Sequence, residues 1–284
     1  EGKDLFAGRY VSSQQMRETA LMRCIRYGQT SEVLRLIKAG ANIKATNALG
    51  ETALKYAVRT RNPKVVQALL RNGANANEVS AGQPLIAAAV GTGNLEVVKA
   101  LLEKGANVSE VDINGASILA TAAFHGYTEI VSLLLDKGAK IDFDSKGKFS
   151  GGPPLVPAVT GGHMETVKLL LRRGADVNQE EWYHGKTPLW VAVCEEHRGI
   201  AILLLESGAE VNTRDAGSFS GKANDGVTPL MCAVRNGDVE MVKLLVAAGA
   251  DVNADTWGKT VLGIAKEERD RQIIEVLRKA GAKE

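Results

Sequence analysis

Residues 228–253 read TPLMCAVRNGDVEMVKLLVAAGADVN and contain one complete structural unit. Thr228 and Pro229 are typical of a helix start, because a threonine hydroxyl accepts an otherwise unpaired backbone N–H and proline at the first helical position loses no hydrogen bond. Gly237 ends the small, apolar run that follows. A second apolar run closes at Gly249, which suits a left-handed helix end. The stretch therefore predicts two short helices joined by a tight turn.

The same pattern recurs along the chain with a nearly constant period. A helix start similar to Thr-Pro-Leu lies 21 residues before each closing glycine, and it is weaker around Pro84-Leu85 and Pro153-Pro154-Leu155. The second helix of each unit carries apolar residues at i, i+3 and i+4, as in Val167, Leu170 and Leu171. Each copy closes on a Gly-Ala dipeptide, at Gly40, Gly73, Gly105, Gly138, Gly174, Gly208, Gly249 and Gly281. Such self-similarity predicts a repeat architecture.

The unit of about 33 residues resembles the ankyrin repeat, and the resemblance covers residues 18–284. It implies an all-α repeat solenoid, a stack of helix-turn-helix units with β-hairpin fingers. We expect residues 1–17 to be an N-terminal extension. The eight units are expected at about 18–50, 51–82, 83–115, 116–151, 152–185, 186–226, 227–258 and 259–284.

The first and last units carry polar residues at positions where the other units are apolar. Arg23 and Glu32 stand at such positions in the first unit, and Arg278 does so in the last. Terminal repeats need a polar outer face, so we expect these residues to meet water and the array to be complete. Alternatively, residues 1–17 lie across the first unit.

Composition excludes several classes of function. A net charge of +2 is too close to zero to favour nucleic acid or an anionic membrane, and no apolar run approaches the roughly 20 residues of a membrane span. Cys24, Cys194 and Cys232 are odd in number and far apart, which predicts three free thiols in a reducing compartment, the cytoplasm or nucleus. We therefore expect an intracellular, monomeric array with no cofactor and no metal.

Catalysis has no support in the sequence. The four histidines lie in separate units, no pair has metal-ligand spacing, and no Cys-x-x-Cys motif occurs. His163 and His197 stand at or just after the turn between helices, where the family resemblance implies a structural histidine. Cys24 and Cys232 are expected on the buried side of a first helix, whereas Cys194 faces the inner side. The chain is predicted not to be an enzyme.

The resemblance places partner contacts on the finger tips and on the inner face of the first helices. All three tryptophans lie in the second half of the chain, and exposed aromatic residues are favoured in interfaces. Two longer fingers share the tripeptide Phe-Ser-Gly, and we expect its phenylalanines to brace the fingers or to contact one ligand. The predicted partner-binding residues are Tyr183, His184, Lys186, Trp190, Met231, Trp257, Phe124, His125, Arg59, Phe149 and Phe219.

These expectations favour an interaction scaffold that binds a protein or peptide and belongs to a larger intracellular protein. The first alternative is a ligand sensor, in which Tyr183, Trp190 and Trp257 stack on a small or nucleotide-like molecule and Lys186 and Lys259 neutralise it. A second alternative is a structural spacer, for which substitutions on the concave face would have no effect.

Overall fold

A computed structural model describes residues 18–142, 152–181, 185–215 and 226–283 of the 284-residue chain. The proposed extension at residues 1–17 lies outside the described residues. By its internal contacts the chain divides into two compact units, residues 1–113 with 133–139 and residues 114–132 with 140–284.

The described residues form sixteen helices that follow one another as first and second helices of successive pairs, as the repeat predicts. They are α1 (Ala20–Arg26), α2 (Thr30–Lys38), α3 (Ala53–Arg59), α4 (Pro63–Arg71), α5 (Leu85–Thr92), α6 (Leu95–Glu103), α7 (Ile118–Phe124), α8 (Thr128–Asp136), α9 (Leu155–Thr160), α10 (Met164–Arg172), α11 (Pro188–Cys194), α12 (Arg198–Glu206), α13 (Pro229–Arg235), α14 (Val239–Ala247), α15 (Val261–Glu267) and α16 (Arg271–Lys279).

Two of the fingers form short antiparallel hairpins. Strand β1 (Val79–Ser80) pairs with β2 (Gln83–Pro84), and β3 (Asp255–Thr256) pairs with β4 (Lys259–Thr260). Each hairpin closes through a two-residue turn, and the register places the first residue of one strand opposite the last residue of the other.

Side-chain caps start the first helices as the sequence predicts. A hydroxyl accepts the backbone N–H three residues ahead at Thr19, Thr52, Ser117, Thr187, Thr228 and Thr260. The two weak copies of the motif begin at Pro84 and Pro154, which have no side chain able to accept this bond. All eight closing glycines have positive φ, which confirms the predicted left-handed helix ends.

Small and branched side chains form the core between neighbouring pairs. First helices pack on first helices, as α11 does on α13, and second helices pack on second helices, as α14 does on α16. Fully buried side chains such as Leu54, Leu101, Leu119, Leu170 and Leu189 fill the space between them. Arg23 and Arg278 are exposed, as predicted for terminal faces, and Glu32 is half-buried.

Two histidines, each just before a second helix, contact the first helix of the preceding repeat. Nε2 of His163 lies 2.9 Å from the carbonyl oxygen of Phe124, and Nε2 of His197 lies 3.4 Å from that of Thr160. A carbonyl oxygen only accepts, so the ring nitrogen is the donor in each contact. The His163 ring lies so close to Gly126 and Gly161 that a Cβ on either glycine would clash with it. These histidines therefore have a structural role.

In several repeats an asparagine after the second helix bonds to the chain after the next second helix. Asn212 donates a 3.1 Å hydrogen bond to the carbonyl of Gly249 and accepts one of 2.8 Å from the N–H of Asp251. Asn77 makes the same two contacts with Gly105 and Asn107. Each asparagine thus pairs two backbone groups in the loop that follows the next second helix.

Candidate functional site

Some of the predicted partner-binding residues lie outside the residues that the structure describes, and the others lie within them. Tyr183, His184, Phe149 and Phe219 lie outside the described residues, as does Trp182. The described members are Lys186, Trp190, Met231, Trp257, Phe124, His125 and Arg59.

The third residue after each helix start is largely covered. Met231 has no exposed surface, and its sulfur turns back to the N–H of Thr228 at 3.5 Å. Expecting Met231 on a binding surface was therefore wrong. In other repeats the residue at this position contacts the segment before the next first helix, as Lys55 does at Ser80. Val227 illustrates the arrangement, because its carbonyl oxygen accepts a 2.8 Å hydrogen bond from the indole N–H of Trp190.

Trp190 is half-buried and already has partners within the chain. The ammonium group of Lys186 lies 4.8 Å from the centre of the Trp190 ring, a cation–π contact. With its N–H bonded to Val227, the indole serves mainly to join neighbouring repeats.

Trp257 lies at the tip of the β3–β4 hairpin and is 53% exposed. Trp257 and Gly258, the two turn residues, have φ values of 48° and 76°. A two-residue turn with positive φ at both positions prefers Asn-Gly, and a bulky residue is disfavoured there. In the equivalent turn of the β1–β2 hairpin the residues are Ala81 and Gly82.

An exposed aromatic cluster stands at the end of α7. Phe124 is 49% exposed, and its ring centre lies 5.3 Å from that of His125 in an edge-to-face arrangement. The His125 ring stacks on Tyr127 at 5.4 Å. The structure thus brings together Phe124 and His125 of the predicted set and adds Tyr127, which sequence reasoning missed because it follows the turn glycine.

Arg59 belongs to a polar network that the sequence did not reveal. The guanidinium groups of Arg26 and Arg59 both lie over the Tyr56 ring, 5.9 and 5.8 Å from its centre. The Tyr56 hydroxyl donates a 2.5 Å hydrogen bond to the buried carboxylate of Glu18, which also pairs with Arg26. Burial and the bond to Glu18 raise the pKa of Tyr56. Glu18 and Tyr56 are 38 positions apart, so no local motif identifies their bond.

The pKa values of two glutamates in this region are shifted in opposite directions. Burial alone would raise the pKa of Glu51, yet hydrogen bonds from Lys55 and Asn47 and the charge of Arg59 lower it below the usual value. Burial raises the pKa of Glu78, and the hydrogen bond from Thr52 and the charge of Lys55 only partly oppose that rise.

Cys194 and Cys232 form a disulfide, so the prediction of three free thiols was wrong; Cys24 is free and half-buried. The two residues are 38 positions apart, but they lie in equivalent first helices of adjacent repeats, α11 and α13. Stacking brings their Cα atoms to 5.1 Å, within the range that a disulfide spans. Cys232 is buried as predicted.

Large apolar side chains that remain exposed have an uneven distribution. The described residues contain eight of them, of which only Leu34 and Leu244 lie on second helices. The other six lie in fingers or at the ends of first helices: Tyr27, Leu49, Val79, Ile113, Phe124 and Trp257. None of the described helices is long and apolar enough to cross a membrane. In the same part of the chain, no group of three His, Cys, Asp or Glu side chains is placed to hold a metal ion.

Short segments of this chain are similar in sequence to known proteins. Mitochondrial disaggregase from Bos taurus is 43% identical over 68 residues, which are 24% of the chain and 10% of that protein. BRCA1-associated RING domain protein 1 from Caenorhabditis elegans is 41% identical over 70 residues, with the same shares. Ankyrin repeat domain-containing protein SAT10 from Stachybotrys chartarum is 31% identical over 126 residues, 44% of the chain and 6% of that protein. The matched region thus spans a tenth or less of each relative.

A family model of ankyrin repeats, built on three copies, matches residues 3–80, 74–145, 141–215 and 218–284. These matches run over nearly the whole chain and coincide with the paired helices and hairpin fingers described above. The chain belongs to the ankyrin repeat family.

Proposed function

We propose that this chain is a protein-binding module that contacts a partner protein or peptide through its finger tips and the ends of its first helices. Ankyrin repeats generally mediate protein–protein interactions, which gives the coarse function. The finer proposal is that the module is part of a larger protein, as the ankyrin segments of the relatives are.

The exposed indole of Trp257 carries the proposal. A tryptophan in a left-handed turn position costs conformational energy, and with half of its surface exposed it gains little from packing. Tryptophan is among the residues most enriched at the energetic centres of interfaces. A large apolar side chain at a strained, exposed tip is best explained by a contact with another molecule.

The other exposed apolar residues have similar places within their own repeats. Surface apolar residues are ordinary when they are scattered singly. Here six of the eight in the described residues lie on the finger and first-helix side of their repeats. Phe124 and His125 add an aromatic contact area on the end of α7.

The test replaces Trp257 by asparagine and measures capture of a partner from a cell lysate, followed by the affinity of the purified partner. Asparagine suits the turn, so Trp257→Asn keeps or raises thermal stability. Loss of a central aromatic contact worth about 2 kcal/mol weakens binding by roughly 30-fold.

Ala81→Asn is the matched control, because Ala81 occupies the same turn position with φ of 50°. It relieves the same backbone cost without removing an aromatic contact, so it measures the effect of the turn substitution alone, and we expect a much smaller loss of binding than in Trp257→Asn. Equal binding by the native chain and Trp257→Asn would contradict the proposed surface.

The ligand-sensing alternative gains no support from the described aromatic and basic residues. The ammonium group of Lys186 already lies on the Trp190 ring, and Lys259 pairs with Glu267 at 2.8 Å. Both cations that were expected to neutralise a ligand are engaged within the chain.

A further inference from the structure

The Cys194–Cys232 disulfide connects two helices that other contacts already hold together. Asn236 Nδ2 donates to the carbonyl oxygens of Val193 and Cys194 at 3.2 and 3.3 Å. Near the start of α11, Trp190 donates to the carbonyl of Val227. Because these three hydrogen bonds do not involve sulfur, α11 and α13 stay adjacent when the disulfide is broken. The two sulfurs therefore remain within reach of each other in the reduced chain.

The two sulfurs differ in access. Cys194 is the last residue of α11 and is half-buried, whereas Cys232 lies within α13 and is 8% exposed. Attack by a dissolved thiol depends on access to the sulfur. An external reagent therefore reaches the sulfur of Cys194 first, and Cys232 reacts from within the fold.

We propose that Cys194 and Cys232 form a reversible thiol–disulfide exchange site that reacts with small thiols and disulfides. This inference goes beyond the proposed binding function and does not depend on it. The disulfide is a covalent link between adjacent repeats on the inner-helix side, made or broken by the thiol–disulfide balance around the protein.

The exchange balances with a small disulfide as the oxidant. The Cys194 thiol loses its proton and its sulfur attacks the small disulfide, whose S–S bond breaks and releases one thiolate. A mixed disulfide on Cys194 results. The Cys232 sulfur, after losing its proton, attacks the Cys194 sulfur and expels the second thiolate. Two protein thiols are thus oxidised by two electrons, the small disulfide is reduced to two thiols, and the released protons neutralise the thiolates.

Reduction follows the same path in reverse. A small thiolate attacks the accessible sulfur of Cys194, and Cys232 leaves and is protonated. A second small thiol then removes the first from Cys194 and carries both away as a disulfide.

The test equilibrates the full chain with mixtures of reduced and oxidised glutathione and then measures free thiols by differential alkylation and peptide mass spectrometry. We expect Cys194 and Cys232 to become oxidised together, with a fraction that depends on the square of the reduced glutathione concentration divided by the concentration of the oxidised form. Cys24 serves as the internal control, because it has no partner cysteine and does not follow this dependence.

Single variants separate the two roles. In Cys232→Ser the remaining Cys194 accumulates a mixed disulfide with glutathione, and in Cys194→Ser the buried Cys232 does so several-fold more slowly. Circular dichroism checks that both variants and the control Cys24→Ser are folded. Closing a loop of 38 residues raises the melting temperature of the oxidised native chain by about 5–15 °C over its reduced form.

Three results would overturn the proposal. In the first, the thiols of Cys194 and Cys232 still react with the alkylating reagent after incubation in excess oxidised glutathione. The second is independent titration of the two residues. The third is a disulfide that resists excess reduced glutathione in the folded chain, which would make the link permanent.

Discussion

The indole N–H of Trp190 donates a 2.8 Å hydrogen bond to the carbonyl oxygen of Val227, 37 residues further along the chain. Val227 is 6% exposed, so water cannot readily replace the indole as its donor. The bond joins α11 to the segment that leads into α13.

Trp190→Phe keeps an aromatic ring but removes this donor. We expect the free energy of unfolding to fall by about 1–3 kcal/mol, because a buried carbonyl is left without its partner. Urea denaturation measures the loss. Trp257→Phe makes the same chemical change at an exposed tip and should alter stability by less than about 0.5 kcal/mol. Equal losses in the two variants would show that the Trp190 bond contributes nothing.

Gly161→Ala tests the contact between the His163 ring and the preceding repeat. Gly161 has an ordinary helical backbone with φ of −74°, so alanine causes no backbone strain there. Its Cβ would lie 2.5 Å from the Phe124 carbonyl oxygen and 2.5 Å from a ring carbon of His163. We expect a loss of about 1–3 kcal/mol in the free energy of unfolding, which thermal or urea denaturation measures.

Gly91→Ala is the control for this substitution. Gly91 lies in α5, and no atom lies within 4 Å of the position that an alanine methyl group would occupy, so alanine stabilises the helix by up to about 1 kcal/mol. A stabilising Gly161→Ala would mean that the His163 ring lies elsewhere.

Glu51→Gln and Glu78→Gln should shift stability in opposite directions at pH 7. The pKa of Glu51 is lowered in the folded chain, so its contribution is present above the unfolded value of about 4.3 and is lost as pH falls through the folded pKa. Glu51→Gln therefore lowers the free energy of unfolding by about 1–3 kcal/mol at pH 7. In this variant the free energy of unfolding also falls less steeply as the pH is lowered.

The pKa of Glu78 is raised in the folded chain, so the chain is most stable when Glu78 is protonated. This contribution to stability is lost as the pH rises through the folded pKa. Glu78→Gln keeps an acceptor for Thr52 without the buried charge and raises the free energy of unfolding at pH 7. Urea denaturation at several pH values between 3 and 7 checks both variants. Shifts of the same sign at pH 7 would contradict the assignment.

Leu170→Ala tests the repeat phase. The Leu170 side chain on α10 is fully buried, so its truncation leaves a cavity and costs about 2–5 kcal/mol. Leu244→Ala on α14, where the leucine is 36% exposed, should cost less than about 1 kcal/mol by the same measurement. A loss below about 0.5 kcal/mol at Leu170 would mean that its predicted position in the repeat is wrong.

Local patterns predicted the helices and their ends because the repeat specifies them within a few residues. The caps at Thr52 and Thr228 and the closing turn at Gly249 each depend on neighbours in sequence. His163 was also predictable, since its place after the turn is fixed within the unit.

Contacts between repeats were harder to predict. The burial of Met231 and the bonding of Trp190 depend on how the next segment folds over a first helix, which periodicity does not describe. The Cys194–Cys232 pair was missed because linear separation was taken as distance, although stacking places the first helices α11 and α13 side by side. The Glu18–Tyr56 bond depends on single residues that other units do not share.

The asparagine links have a consequence for how this sequence can change. Asn212 fixes the next repeat through Gly249 and Asp251, and it stands before the stretch that makes the interval from Gly208 to Gly249 the longest of the series, 41 residues. The alignment of the two repeats is therefore set upstream of the extra residues. Finger length and helix stacking are separable traits, so insertions in a finger can accumulate and be selected for new contacts while the scaffold stays the same.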